Sequence, residues 1–179
     1  MRKITLIFGV LAGIIVSVFM VVTVRLCENG VITFDNSDFI GYGGMVIALS
    51  MIFFGVKSCR DNYLNGAITF GKGFQAGMLI TLVASLIYAI AGEAYYQIRP
   101  NAQAALMDKY AEHHINKMKA SGASSAEVEQ KAKEMADLKE LHKSPVIRFG
   151  MTLAIILPVG IIIALLSAAL LRKKKFLPA

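Results

Sequence analysis

Glu93 stands out chemically because it follows a long uncharged run that it would otherwise extend. A carboxylate near the middle of a membrane helix costs roughly 2.5–3.5 kcal/mol on insertion scales, so its presence there marks a proton or cation site. Placed about 20 residues from the start of its run, Glu93 is also close to where a helix emerges among head groups, and there it is simply solvated. Arg60-Asp61-Asn62, with Lys57 and Lys72 nearby in sequence, forms a second polar group, suited to lipid phosphates or a protein partner. The plain alternative is an ordinary interfacial loop. Gly66-Ala67-Ile68-Thr69-Phe70-Gly71-Lys72-Gly73 has the glycine and lysine spacing of a phosphate-binding loop, yet puts Gly where Ser or Thr should meet magnesium. It also opens an apolar run rather than a soluble helix, so Asn65-Gly66 reads as a turn and Gly73 as a close-packing position. His113 and His114 are adjacent and His142 stands alone, which is not the spacing of zinc ligands, and no Ser, Cys or acid completes a triad. No catalytic residue, metal or cofactor is therefore expected.

The elements that carry these residues are set by hydropathy. Of 179 residues, 56% are hydrophobic, and mean hydropathy is +0.59, too apolar for an ordinary soluble domain. Ile4 to Val24, Phe39 to Val56, Gly73 to Gly92 and Phe149 to Leu171 are uncharged runs. At about 1.5 Å per residue each is long enough to cross a hydrocarbon layer of about 30 Å with little or modest tilt. The first run exceeds a signal peptide's apolar core and lacks a small-residue cleavage site, so it reads as a retained anchor. Nothing in lipid solvates open backbone, and the runs lack a barrel's alternation, so the expected fold is all-α: a four-helix transmembrane bundle.

Charge then orients the bundle. Arg2, Lys3, Lys57, Arg60, Lys72 and the four of Arg172-Lys173-Lys174-Lys175 lie on one side, against Arg25 in the short opposite loop. The positive-inside bias predicts a multi-pass protein of a bacterial inner membrane with both termini cytoplasmic and residues 99–148 outside. The net charge of +7 thus belongs with membrane lipids, and without aromatic residues interleaved on a basic face no nucleic-acid partner is expected. Cys27 and Cys59 follow successive runs, a membrane thickness apart, too far for a disulfide.

Residues 99–148 divide the chain into 1–98, with three spans, an extramembrane helical hairpin, and 149–179, with the fourth span and a basic tail. Met107, Tyr110, Ala111, His114 and Met118 line one face of a helix ended by Gly122. Ser124 and Glu127 have capping-box spacing for a second helix, whose stripe runs Val128, Ala132, Met135, Leu138, His142. So thin a stripe is expected to lean on the membrane domain or on a protein partner. In the spans, small residues four apart recur at Gly9/Gly13, Gly44/Ala48, Gly73/Gly77 and Gly160/Ala164/Ala168, predicting close helix contacts within the chain or in a homo-oligomer. Pro158 removes a backbone donor from the carbonyl of Ala154 and should kink the fourth span.

Ser50-Met51-Ile52-Phe53-Phe54-Gly55-Val56-Lys57 with Arg60-Asp61-Asn62, Gly66-x-Ile68-x-Phe70-Gly71-Lys72, Lys117 to Ala123 and Pro158-Val159-Gly160 together resemble the bacterial domain of unknown function 4199 family. The resemblance covers nearly the whole chain. It implies a multi-spanning membrane protein and brings no activity, ligand or catalytic residue with it. Where that family often carries an acid before Pro-Val-Gly, this chain has Ala154-Ile155-Ile156, which implies that an acid in this span is dispensable. The expectation is a non-enzymatic envelope protein acting through protein or lipid contacts. Its alternative is a small transporter or channel subunit using Glu93 and the Pro158 kink.

Overall fold

The computed structural model describes residues 2–173 and is all-α, with four long apolar rods and a helical pair between the third and fourth. Helix α1 runs Arg2–Glu28. Helices α2 (Phe34–Leu49) and α3 (Met51–Tyr63) join at Ser50, whose φ −58° and ψ −22° stay helical, so they make one rod. Next come α4 (Phe70–Ile98), α5 (Pro100–Ala120), α6 (Ser125–Leu141) and α7 (Pro145–Leu171). The rods α1, α2–α3, α4 and α7 are each long and apolar enough to cross a membrane. Every one is longer than its uncharged run, because a helix continues its hydrogen-bond ladder into the head-group zone while hydropathy marks only the part in hydrocarbon. Two expectations change accordingly. Arg60-Asp61-Asn62 is the last turn of α3 rather than a loop, and Lys72 lies in the first turn of α4.

Small residues let the rods close up. A Cβ on Gly9 would fall 2.7 Å from Val83 Cβ, and one on Gly13 would fall 2.8 Å from Ile87 Cβ, so α1 lies directly against α4. Gly73 faces Ala168 and Gly77 faces Ala164, seating α4 on α7, while Gly160 of α7 abuts the Thr81 side chain of α4. Gly44 meets the Phe19 ring. The glycine stripes therefore serve contacts inside the chain, where backbone approach gives dispersion contact and hydrogen-bond partners that lipid cannot. Leu49, Ile52, Val56, Ile80, Ala84, Ile156 and Ala164 are fully buried among them. Buried hydroxyls are satisfied locally: Thr81 donates to the Gly77 carbonyl at 2.9 Å and Ser85 to the Thr81 carbonyl at 2.7 Å, the helical back-bond open to Ser and Thr. Outward residues such as Leu6, Ile7, Val18 and Leu170 are exposed, as lipid-facing positions must be. Helix α7 continues unbroken through Pro158.

At one end of the bundle, called here the loop end, residues 64–69 link α3 to α4. Asn65 and Gly66 take φ of 50° and 77°, the left-handed turn their types predict. Ile68 is buried and exchanges two 3.1 Å backbone bonds with Lys173, tying the loop to the end of α7. Lys174 and Lys175 of the expected basic tail lie outside the described residues. The opposite end carries the α5–α6 hairpin. Gly122 has φ 82° between the helices, and Ser124 and Glu127 complete the capping box in both directions. The expected stripes on both helices are half-buried and none of their residues is fully buried, which fits a hairpin with a thin seam. It leans on the membrane rods: Phe34 packs edge-on to Tyr110 at 5.7 Å, and Lys109 Nζ donates to the Glu28 carbonyl at 3.3 Å.

Candidate functional site

The hairpin end concentrates charge at the helix ends. Arg148, in the first turn of α7, donates through Nε and Nη2 to the two carboxylate oxygens of Glu93 on α4, at 3.0 and 2.5 Å. Its Nη1 donates to the carbonyls of His142 and Lys143 at 2.7 and 3.3 Å, fastening the α6–α7 connection. Gln97 adds a 3.2 Å bond to Glu93. Both charged side chains are mostly covered, 12% and 18% exposed, so the two-point pairing matters more than a surface ion pair would. A parallel tie lies nearby: Arg99 donates to Glu28 at 2.8 Å and to the Tyr95 hydroxyl at 3.1 Å. Both bonds favour the charged guanidinium and raise the Arg99 pKa. Together these ties hold the exits of α1 and α4 and the entries of α5 and α7.

Between these rods, the half of the bundle nearest the hairpin holds a half-open cavity of about 360 Å³. Val16, Phe19 and Met20 of α1, Met45 of α2, and Met151 and Ile155 of α7 supply apolar walls. Polar groups enter it at the hairpin side: Arg148, His142, Tyr96 and Thr152, with Tyr88 lower down and Tyr42 on α2. Thr152 is spent on the Arg148 carbonyl at 2.9 Å. Towards the loop end the bundle is closed by the buried core of Leu49, Ile52, Ile80 and Ile156. An apolar chamber with a few convergent polar groups is the usual form of a small-molecule site, and this volume lies at the small end of that range. No acid is among the described lining residues, and the nearest, Glu93, is paired with the lining Arg148.

The loop end is plainer. Arg60 donates to adjacent Asp61 at 2.6 Å, and Asn62 donates to Ser58 at 3.0 Å, so this trio satisfies itself along its own helix. Thr69 caps α4 by accepting from the Lys72 N–H at 3.4 Å. Lys72 and Lys173 flank a half-open hollow of about 570 Å³ beside residues 63–69. The element before Gly66 is helix α3, not the strand a phosphate-binding loop needs, so the motif there is a turn and a helix cap. Among the described residues no three His, Cys, Asp or Glu side chains cluster to hold a metal, and Cys27 and Cys59 are both buried and not joined by a disulfide.

Of the residues singled out by sequence, the structure brings Arg60 and Asp61 together at the loop end and leaves Lys72 apart from their pair. Gly73, Gly77 and Gly160 share the α4–α7 seam, Gly66 makes the turn, and Glu93 lies alone among them at the hairpin end. Arg148 immediately precedes the uncharged run that begins at Phe149, so hydropathy alone assigns it to the extramembrane hairpin. The signal was present in Pro145, a good first helical residue, which starts α7 four residues before its apolar run and carries Arg148 into it. The tyrosines of the chamber carry no sequence pattern that groups them. Neither the curated proteins nor the solved structures contain a match to the chain. The family model described as "Protein of unknown function (DUF4199)" matches residues 7–173. That stretch takes in the rods, the hairpin and the chamber, and the chain belongs to the DUF4199 family.

Proposed function

We propose that this chain is a non-enzymatic membrane protein of the bacterial envelope that works by receiving an amphiphile from the bilayer in the hairpin-end chamber. The observation that carries the reading is the chamber itself: four rods wall it, thioethers and aliphatic groups line it, and the charged Arg148 enters it from the hairpin side. Such a gradient matches a molecule with an apolar body and a polar tip. The charge bias of the flanks supports a cytoplasmic location for both termini and the loop end, with the hairpin outside. The α5–α6 hairpin, tied down through Glu28, Arg99 and Lys109, then covers the outer end of the bundle and offers a charged surface for a protein partner.

A transporter reading, resting on Glu93 and the Pro158 kink, has less support because Glu93 is held by Arg148 and Gln97. The test is a photoreactive amino acid at Met151, inside the chamber, with Leu6 on the exposed face of α1 as the reference position. Irradiation of native membranes should give a lipid adduct of one dominant mass at Met151 and a spread of masses at Leu6. The same spread at both positions would refute a specific occupant. Reaction with water alone at Met151 would refute any amphiphile there.

A further inference from the structure

Resting on the reading of the chamber as an amphiphile site, we propose that its occupant is an uncharged or zwitterionic lipid that enters sideways, through the gap between α2 and α7. Its chain lies along Met45 and Ile155 and its polar end at Tyr96 and the Arg148–Glu93 pair.

The side entrance follows from exposure. Tyr42 of α2 and Ile155 of α7 both line the chamber, and they are 55% and 53% exposed. Counted from Phe39 and Phe149, where their uncharged runs begin, Tyr42 is 3 residues in and Ile155 is 6. At about 1.5 Å per residue, they lie roughly 5–9 Å inside the hydrocarbon edge on the hairpin side. What meets an open wall at that depth is acyl chain rather than head group or water. Gly41 lines the same gap, and a Cβ there would meet nothing within 4 Å, so none of the described side chains fills the space beside it. The chamber's 360 Å³ accommodates part of one chain and leaves the remainder in the bilayer.

The charge class follows from the pair. Arg148 is the one permanent cation lining the chamber, and Glu93 cancels it through two hydrogen bonds. Three Arg148 nitrogens are already engaged by Glu93 and by two backbone carbonyls, so an anionic head group would have to displace Glu93 to gain a full charge partner. His142, also lining the chamber, makes a 2.9 Å contact with the Leu138 carbonyl through Nδ1. By contrast, Tyr42, Tyr88 and Tyr96 make no hydrogen bond within the described residues. Their hydroxyls both donate and accept, which suits ester carbonyls, hydroxyls and zwitterionic head groups. A net-neutral site with free hydroxyls selects for those chemistries over a net negative one.

The test is native mass spectrometry on the delipidated full chain titrated with dioleoyl phosphatidylethanolamine or dioleoyl phosphatidylglycerol. One phosphatidylethanolamine should be retained, with apparent affinity at least about fivefold above phosphatidylglycerol. Glu93→Gln removes the cancelling charge and should invert that order. Gly41→Trp should lower retention at least about tenfold while helical content is unchanged, because the indole occupies the gap without a clash at its Cβ. Wild-type preference for phosphatidylglycerol would overturn the charge class and leave the amphiphile site standing. Undiminished retention in Gly41→Trp would overturn the side entrance. Retention of neither lipid would overturn the occupant and the reading on which it rests.

Discussion

Cutting the Arg148–Glu93 pair from each side separately should show how strongly α4 and α7 are coupled at the hairpin end. Two opposite charges about 4 Å apart attract by about 4 kcal/mol at an effective dielectric of 20. Removing them from water takes back part of that. With the side chains 12% and 18% exposed and joined at two points, a net coupling of about 2 kcal/mol is expected. The single changes should not be equal. Glu93→Ala strands a guanidinium that keeps two backbone carbonyl acceptors and should cost about 2 kcal/mol. Arg148→Ala also releases those carbonyls at the α6–α7 connection and should cost about 3 kcal/mol. Reversible unfolding of the full chain in mixed micelles, for wild type, both single variants and the double variant, gives the coupling as the departure from additivity. A coupling under about 0.5 kcal/mol, or a Glu93→Ala cost above that of Arg148→Ala, would refute this account of the pair.

Gly77→Leu drives a side chain into Ala164, whose Cβ and Cα would lie 2.8 and 3.1 Å from the new Cβ. It should cost about 1–3 kcal/mol by overpacking in the same assay, with Gly150→Leu, which has nothing within 4 Å of its Cβ, as the neutral control. Ser124→Ala removes the cap of α6 and should cost about 1 kcal/mol, read as faster amide exchange at Glu127 and Val128. Glu127 is held below the usual carboxylate range by the Ser124 backbone N–H and hydroxyl. Its contribution is therefore present above the ordinary carboxylate pKa and lost as pH falls through the depressed folded value, so amide protection at the start of α6 should fall on acidification and not on alkalinisation. Orientation is open to a direct check: an impermeant maleimide should label Lys133→Cys from outside intact cells and Lys72→Cys only after permeabilisation. The opposite pattern would invert the topology.

The rods, the turn at Asn65-Gly66 and the capping box at Ser124 were legible because each is local. Hydropathy, a left-handed φ and a three-residue spacing are all properties of one stretch of chain. Glycine stripes were legible as contact surfaces but not as to what they contact. Gly73/Gly77 and Gly160/Ala164/Ala168 proved to be two sides of one seam between α4 and α7, and nothing in either stripe names its partner. Arg148 and Glu93 show why a site is harder to read than its scaffold. They are 55 residues apart in sequence and become neighbours only when the register of two antiparallel rods is known. That register is fixed at the far half of the rods by Gly77 against Ala164 and Gly160 against Thr81. Small residues at the loop-side half thus set where the charges meet at the hairpin end. The same packing that closes the loop-side core also holds the pair that neutralises the chamber. A stripe read alone as a dimerisation surface is, on this geometry, part of what positions the chamber walls, and disturbing Gly77 should weaken lipid retention as well as the fold.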